Sequence, residues 1–156
     1  MLAEPLSEVL IDGFIESRLP KSVDMIVPIP IHPSRKAHRG FNQSELIAKG
    51  LAKHLSIQMD TKTLVKSKKT PHQVDVPFEQ RRINIYGSFS VVRPERVKNK
   101  KIMLIDDVIT TGATLDEAAR MLLDSGASTV VAYTLARSIQ YIKEAPCIGA
   151  RSKKNR

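Results

Sequence analysis

The chain has 156 residues, 42% of them hydrophobic, with 25 Lys and Arg against 16 Asp and Glu for a formal net charge of +9. That length and apolar share support one domain with a real core and exclude a disordered chain. No apolar run approaches the roughly 20 residues that cross a bilayer, and a single cysteine, Cys147, excludes an internal disulfide or a cysteine-built zinc site and suits a reducing cytoplasm.

The opening residues are acidic and amphipathic, unlike a secretory signal. Leu6, Val9, Leu10, Gly13 and Phe14 recur at helical spacing, which predicts a helix over 5–18 that Pro20 stops. DMIVPIP (24–30) reads as a short strand ending by Pro28. HPSRKAHRG (32–40) reads as a polar loop, and NQSE (42–45) as a capping box opening a helix with Leu46, Ile47, Leu51 and Leu55. A short strand is expected early in 56–69, before the segment turns basic. Residues 70–84, punctuated by Pro71 and Pro77, read as loop with a short helix. IYGSFSVV (85–92) alternates like a strand, and 93–101 is a basic loop.

IMLI (102–105) is apolar throughout, as a strand of a parallel sheet requires. Leu115, Ala118, Ala119, Leu122 and Leu123 predict a helix capped by Gly126, and TVVAYTLA (129–136) another buried strand. Strands alternating with helices imply an α/β fold with a mostly parallel sheet. The end of the chain, from 138 to 156, reads as a basic tail.

The segment IMLIDDVITTGATL (102–115) carries the chemistry. Asp106 and Asp107 are placed just past a strand, where ligands of open α/β sheets bind. The loop from Val108 and Ile109 through Ala113 then feeds a helix N-terminus, whose backbone N–H groups and dipole favour a phosphate. Gly112 permits a turn there, and Thr110, Thr111 and Thr114 supply hydroxyls. The paired carboxylates suit the adjacent hydroxyls of a ribose, so the pattern points to a sugar phosphate. It is neither a P-loop nor a dinucleotide fingerprint, and an ordinary helix cap needs one aspartate rather than two.

This segment resembles the phosphoribosyl pyrophosphate (PRPP) motif of type I phosphoribosyltransferases. IVPIPIHPSRKAHRGFNQSELIAKGLA, TPHQ, RRINIYGSF and SGASTVVAYTLAR resemble the ComF-type competence members of that family. The resemblance covers about residues 5–137 and implies a phosphoribosyltransferase domain over 1–137: a mostly parallel twisted sheet flanked by helices, with a small hood. It further implies that Asp106 and Asp107 hold the ribose hydroxyls and act in any catalysis, and that the loop through Thr114 cradles the 5′-phosphate. Arg35, Lys36 and Arg39 would face the pyrophosphate through Mg²⁺, which arrives with PRPP and meets Asp106 and Asp107 at most. Gln73, Arg81 and Asn84 match the family's middle segment. The cysteine-rich zinc ribbon common at the start of such proteins has no counterpart in these residues, and Lys68 and Lys69 stand where arginine is frequent.

Blander roles compete at several positions. Phe41 is expected to anchor a loop or the core, Asn42 to cap a helix, and Arg81 and Asn84 to serve as an ion pair or cap. Some purine-salvage relatives place an aspartate base at the position of Thr110, so the acceptor stays open. Two functions follow from the resemblance. One is phosphoribosyl transfer in DNA uptake and natural transformation. The other is a non-catalytic factor binding PRPP and single-stranded DNA, with competence proteins as partners. The positive charge suits a polyanion, whether nucleic acid, a nucleotide or a phosphorylated metabolite, with a merely solvated basic surface as the alternative.

Overall fold

The computed structural model describes residues 12–13, 22–68, 83–109, 112–136 and 141–144. Strand β1 (Met25–Pro28) leads into helices α1 (Pro33–Arg39) and α2 (Gln43–Leu55). Strands β2 (Leu64–Lys66) and β3 (Phe89–Val91) precede a 3₁₀ turn (Pro94–Arg96) and strand β4 (Lys101–Val108). Helix α3 (Ala113–Asp124) then connects to strands β5 (Thr129–Ala136) and β6 (Tyr141–Glu144).

The main sheet has the order β1-β4-β5-β6. β1, β4 and β5 are parallel, with Pro28 opposite Ile105 and Asp106 opposite Thr134. β6 adds antiparallel to β5, so the sheet continues beyond residue 137, where a tail is expected. On the other side of β1, Met59 bridges Ile26 in parallel, all that forms of the strand expected early in 56–69. β2 and β3 make a separate antiparallel ribbon.

Alternation along β4 explains the layering. Ile102 and Leu104 join Met25, Val27, Val130 and Ala132 on one face, covered by Leu115, Ala118, Ala119 and Leu122 of α3 and by Leu64 and Phe89 of the ribbon. Met103 and Ile105 join Ile26, Val131 and Tyr133 on the other, covered by Ile47, Ala48 and Leu51 of α2. Both faces are therefore dry, which is why IMLI carries no polar residue. Each such Leu or Ile, fully buried, stabilises the fold by about 1.5–3 kcal/mol.

Two buried carboxylates tie the layers together. Asp60 accepts the backbone N–H groups of Lys62 and Thr63, each at 2.8 Å, and the Thr63 hydroxyl at 2.9 Å, and pairs with Arg96 at 3.2 Å. Burial alone would raise its pKa, but these four partners outweigh it and hold the carboxyl below its ordinary value. Glu117 of α3 accepts the Gly87 N–H at 2.7 Å and both Nε and Nη2 of Arg120, at 2.9 and 2.8 Å. The Arg120 guanidinium lies 4.8 Å from the Tyr86 ring centroid.

Several local expectations change. Residues 33–39 are a helix rather than a loop. Pro33 opens it, His32 Nδ1 accepts the Ser34 N–H at 3.2 Å, and Gly40 ends it with φ +78°. Of the strand expected over 85–92, only Phe89–Val91 pairs, because Tyr86 and Gly87 form a turn with Gly87 at φ +65°. The basic stretch 93–101 holds the 3₁₀ turn, and Lys101 already belongs to β4. The cap expected at Gly126 does form: just past Ser125, at φ +99°, Gly126 donates to the Leu123 carbonyl at 2.9 Å and Ala127 to the Leu122 carbonyl at 3.0 Å. Of the helix expected over 5–18, residues 12–13 are helical and the others lie outside the described residues.

Candidate functional site

The site is built at the carboxyl ends of β1 and β4. Asp106 and Asp107 lie inside β4 rather than past it, because β5 continues to pair as far as Val108 opposite Ala136. Asp106 is half-buried. Its Oδ1 accepts the Ser44 hydroxyl at 2.9 Å and the Asp107 N–H at 3.0 Å, while Asp107 Oδ1 accepts the Val108 N–H at 2.9 Å. Burial first, and repulsion from Asp107 second, push the Asp106 carboxyl up to about 7, although the Ser44 hydroxyl and Asp107 N–H favour ionisation. A carboxyl raised in this way holds its proton to higher pH than an ordinary aspartate and can then donate as well as accept toward a partner with hydroxyl groups.

Beyond the strand, Val108 is exposed and Ile109 turns into the core. Thr110 and Thr111 lie outside the described residues. Gly112 caps α3 at φ +76°, with Ala113 buried and Thr114 half-buried in the first turn. A Cβ on Gly112 would meet nothing within 4 Å. The left-handed backbone, rather than crowding, is what calls for glycine.

On the β1 side, Asn42 fixes the start of α2. Its Oδ1 accepts the Ser44 N–H at 3.2 Å and its Nδ2 donates to the Ile29 carbonyl at 3.0 Å. One buried amide thereby pins the first turn of α2 to the end of β1 and aims Ser44 at Asp106. Glu45 pairs with Lys36 at 2.9 Å, not with the cap of its own helix. Arg35, Lys36 and Arg39 are carried by α1. Phe41 is 48% exposed and anchors nothing in the core, since the chain turns at Gly40 before α2 begins.

Between the end of β1, the two helices α1 and α2, and β2 lies a cleft of about 190 Å³, lined among others by Pro28, Pro30, Lys36, Glu45, Thr61 and Lys66 but by neither Asp106 nor Asp107. In the sequence Lys66 of β2 is one member of a basic run. In the fold it is half-buried, with Nζ 5.2 Å from the Phe89 ring centroid. Burial foremost, then Arg35, push its amine down to about 8, while Asp106 pulls the other way. The fold therefore seats Ser44 on Asp106, sets Arg35 and Asp106 within electrostatic reach of Lys66, and lines one cleft with Lys36 and Lys66. Ser44 carries a local signal as a cap-region residue, but none for its contact with Asp106. Asn84 is exposed at 83–85, apart from these contacts, and Gln73 and Arg81 lie outside the described residues. Among the described residues, no three His, Cys, Asp or Glu side chains gather as a metal site, and no helix is long and apolar enough to cross a membrane.

The profile of the phosphoribosyl transferase domain family matches residues 42–147. The chain is 32% identical over 141 residues to the DNA utilization protein YhgH of Escherichia coli O157:H7, covering 88% of this chain and 61% of that protein. It is 37% identical over 119 residues to competence protein ComFC of Bacillus subtilis (strain 168), covering 73% of this chain and 45% of that one. It thus spans about three fifths or less of the length of these curated relatives. Among solved structures, the glutamine PRPP amidotransferase of B. subtilis complexed with ADP and GMP superposes with a TM-score of 0.56 at 21% identity, over 85% of this chain and 26% of that one. That likeness bears on the fold.

Proposed function

Because the chain belongs to the phosphoribosyl transferase domain family, we propose that it binds PRPP with Mg²⁺ at the carboxyl edge of its sheet and acts on it in DNA uptake or utilization, in a reducing cytoplasm. The observation that carries this reading is the Asp106–Asp107 pair. It is half-buried, linked to Ser44, and followed at once by the glycine-capped head of α3. Paired acceptors for a diol beside a helix N-terminus for a phosphate match a phosphorylated ribose.

Mg²⁺ fits this donor set as a hard cation that favours oxygen ligands. Two carboxylates make no cage, so the ion would be held chiefly by the ligand's own pyrophosphate oxygens, with Asp106 and Asp107 beside it. When bound, it would neutralise charge on the leaving pyrophosphate. The protein's own part is to orient the sugar through the carboxylates, to hold the 5′-phosphate through the loop 108–114, and to surround the leaving group with cations of α1. Transfer would join a nucleophile to the anomeric carbon as pyrophosphate departs, and negative charge near that carbon would stabilise an oxocarbenium-like state. Thr110 offers no carboxylate base for a purine. This favours, as a second reading, a site that binds PRPP without turnover while the basic surface holds single-stranded DNA or a competence protein.

Calorimetry with PRPP and Mg²⁺ tests the site. Changing Asp106 and Asp107 together to asparagine should weaken binding roughly 10- to 100-fold for each charged hydrogen bond removed. Equal affinity in wild type and double variant would refute the assignment. Pyrophosphate release from PRPP with a panel of nitrogenous acceptors separates the catalytic reading from the second one.

A further inference from the structure

A serine in the first turn of a helix ordinarily turns its hydroxyl to nearby backbone or to water. Ser44 instead reaches across the fold. It is 3% exposed, and its hydroxyl donates at 2.9 Å to Asp106 Oδ1, 62 positions further along the chain. The hydrogen bonds around it form a closed ring. The Ile29 N–H donates to the Ile105 carbonyl at 2.8 Å. The Ile29 carbonyl accepts Asn42 Nδ2 at 3.0 Å, and Asn42 Oδ1 accepts the Ser44 N–H at 3.2 Å. The Ser44 hydroxyl then returns to Asp106, the residue after Ile105. Ile29, Asn42, Ser44 and Ile105 are all buried, so the ring is shielded from water.

The ring decides which part of Asp106 can meet a ligand. Oδ1 already accepts two donors, the Ser44 hydroxyl and the Asp107 N–H at 3.0 Å, and a carboxylate oxygen has two acceptor sites. Oδ2 is the oxygen left to turn outward. The carboxyl rotation of an aspartate is otherwise broad, so a second donor on Oδ1 is what narrows it. From the closed ring and the saturated oxygen, we propose that Ser44 is a positioning residue for the sugar end of the site: it holds Asp106 in one orientation, with Oδ2 presented to a ligand hydroxyl. This inference rests on the PRPP reading above, and it adds a residue that lies outside the segment 102–115. Without the Ser44 hydroxyl, the cost of ordering the carboxylate would fall on each binding event. The phosphate contacts do not depend on it, because the loop and the head of α3 serve them.

The test is calorimetry on the full chain with three probes: PRPP with Mg²⁺, ribose 5-phosphate, and inorganic phosphate, which carries no hydroxyl of a sugar. Ser44→Ala removes one oxygen and adds no bulk. It should weaken PRPP and ribose 5-phosphate roughly 10-fold and leave inorganic phosphate within about 2-fold. In an Asp106→Ala background the same change should cost less than about 2-fold for every probe, because the group it positions is gone. A Ser44→Ala protein that binds ribose 5-phosphate as wild type does, while wild type binds PRPP, would overturn this proposal and leave the site intact. An equal loss for inorganic phosphate would mark Ser44 as structural and also overturn it. So would a 10-fold loss that persists in the Asp106→Ala background. If wild type binds neither PRPP nor ribose 5-phosphate, the PRPP reading itself falls, and this proposal with it.

Discussion

Asp106→Asn should make the protein more stable while it weakens the ligand. Raising the carboxyl from its ordinary 3.8 to about 7 means that ionising Asp106 costs about 4 kcal/mol more in the fold than in the unfolded chain. The sign follows from linkage. Well below pH 3.8 the group is neutral in both states and nothing is lost. As pH rises toward 7 the unfolded chain releases its proton first, and stability falls until the folded carboxyl also ionises. Asparagine keeps an oxygen to accept from Ser44 and from the Asp107 N–H, and it carries no charge against Asp107. The stability gap between variant and wild type should therefore widen by about 2–3 kcal/mol from pH 5 to pH 8. For a domain of this size that is a change of roughly 5–10 °C in the difference between the two melting temperatures. Thermal unfolding of both proteins across that range measures it. A gap that stays constant with pH, or an asparagine variant that is the less stable at pH 8, would refute the electrostatic account of the pair.

Asp60→Ala should destabilise the fold by about 3 kcal/mol in denaturant titrations, because it strands Arg96, two backbone N–H groups and the Thr63 hydroxyl. In wild type the part of stability due to Asp60 is fully present above pH 3.8 and is lost as pH falls through its lowered value, so the variant should show a weaker acid transition. Gly112→Val should lose about 1–2 kcal/mol through the left-handed backbone alone and weaken PRPP binding further, whereas Gly112→Asn should be the milder change; melting curves and titrations rank them. If the basic tail contacts single-stranded DNA, deleting residues 151–156 should flatten the slope of log affinity against log salt by at most about 3, and an unchanged slope excludes the tail.

The sheet is legible in the sequence because burial on both faces leaves its mark residue by residue. IMLI is wholly and TVVAYTLA mostly apolar, because α3 with the ribbon covers one face and α2 the other. Helix α1 leaves no such mark. It buries no residue, so HPSRKAHR shows no apolar stripe, and the helix rests on the ends supplied by His32 and Gly40. Asp106 and Asp107 stand out as a pair, yet their place inside the strand does not, since nothing local reveals how far β5 continues to pair. Ser44 and Lys66 need the fold itself. Ser44 meets a residue 62 positions away, and Lys66 enters the cleft because β2 pairs with β3, which is more than twenty residues later in the chain. Contacts between distant segments have no signature in a short window.

Glu117 has a mechanical role that reaches the site without touching it. Its carboxylate grips the turn at Gly87 and, through Arg120, the ring of Tyr86. One helical turn earlier, the same α3 begins at Gly112. The turn at Gly87 runs directly into β3, whose Phe89 supports Lys66. A single carboxylate thus couples the helix that starts at Gly112 to the ribbon that carries Phe89 and Lys66. Through that grip a tilt of α3 would carry the Gly87 turn and the start of β3 with it. Substitutions at Arg120 or Tyr86 would loosen that grip while leaving Gly112, Asp106 and Asp107 unchanged.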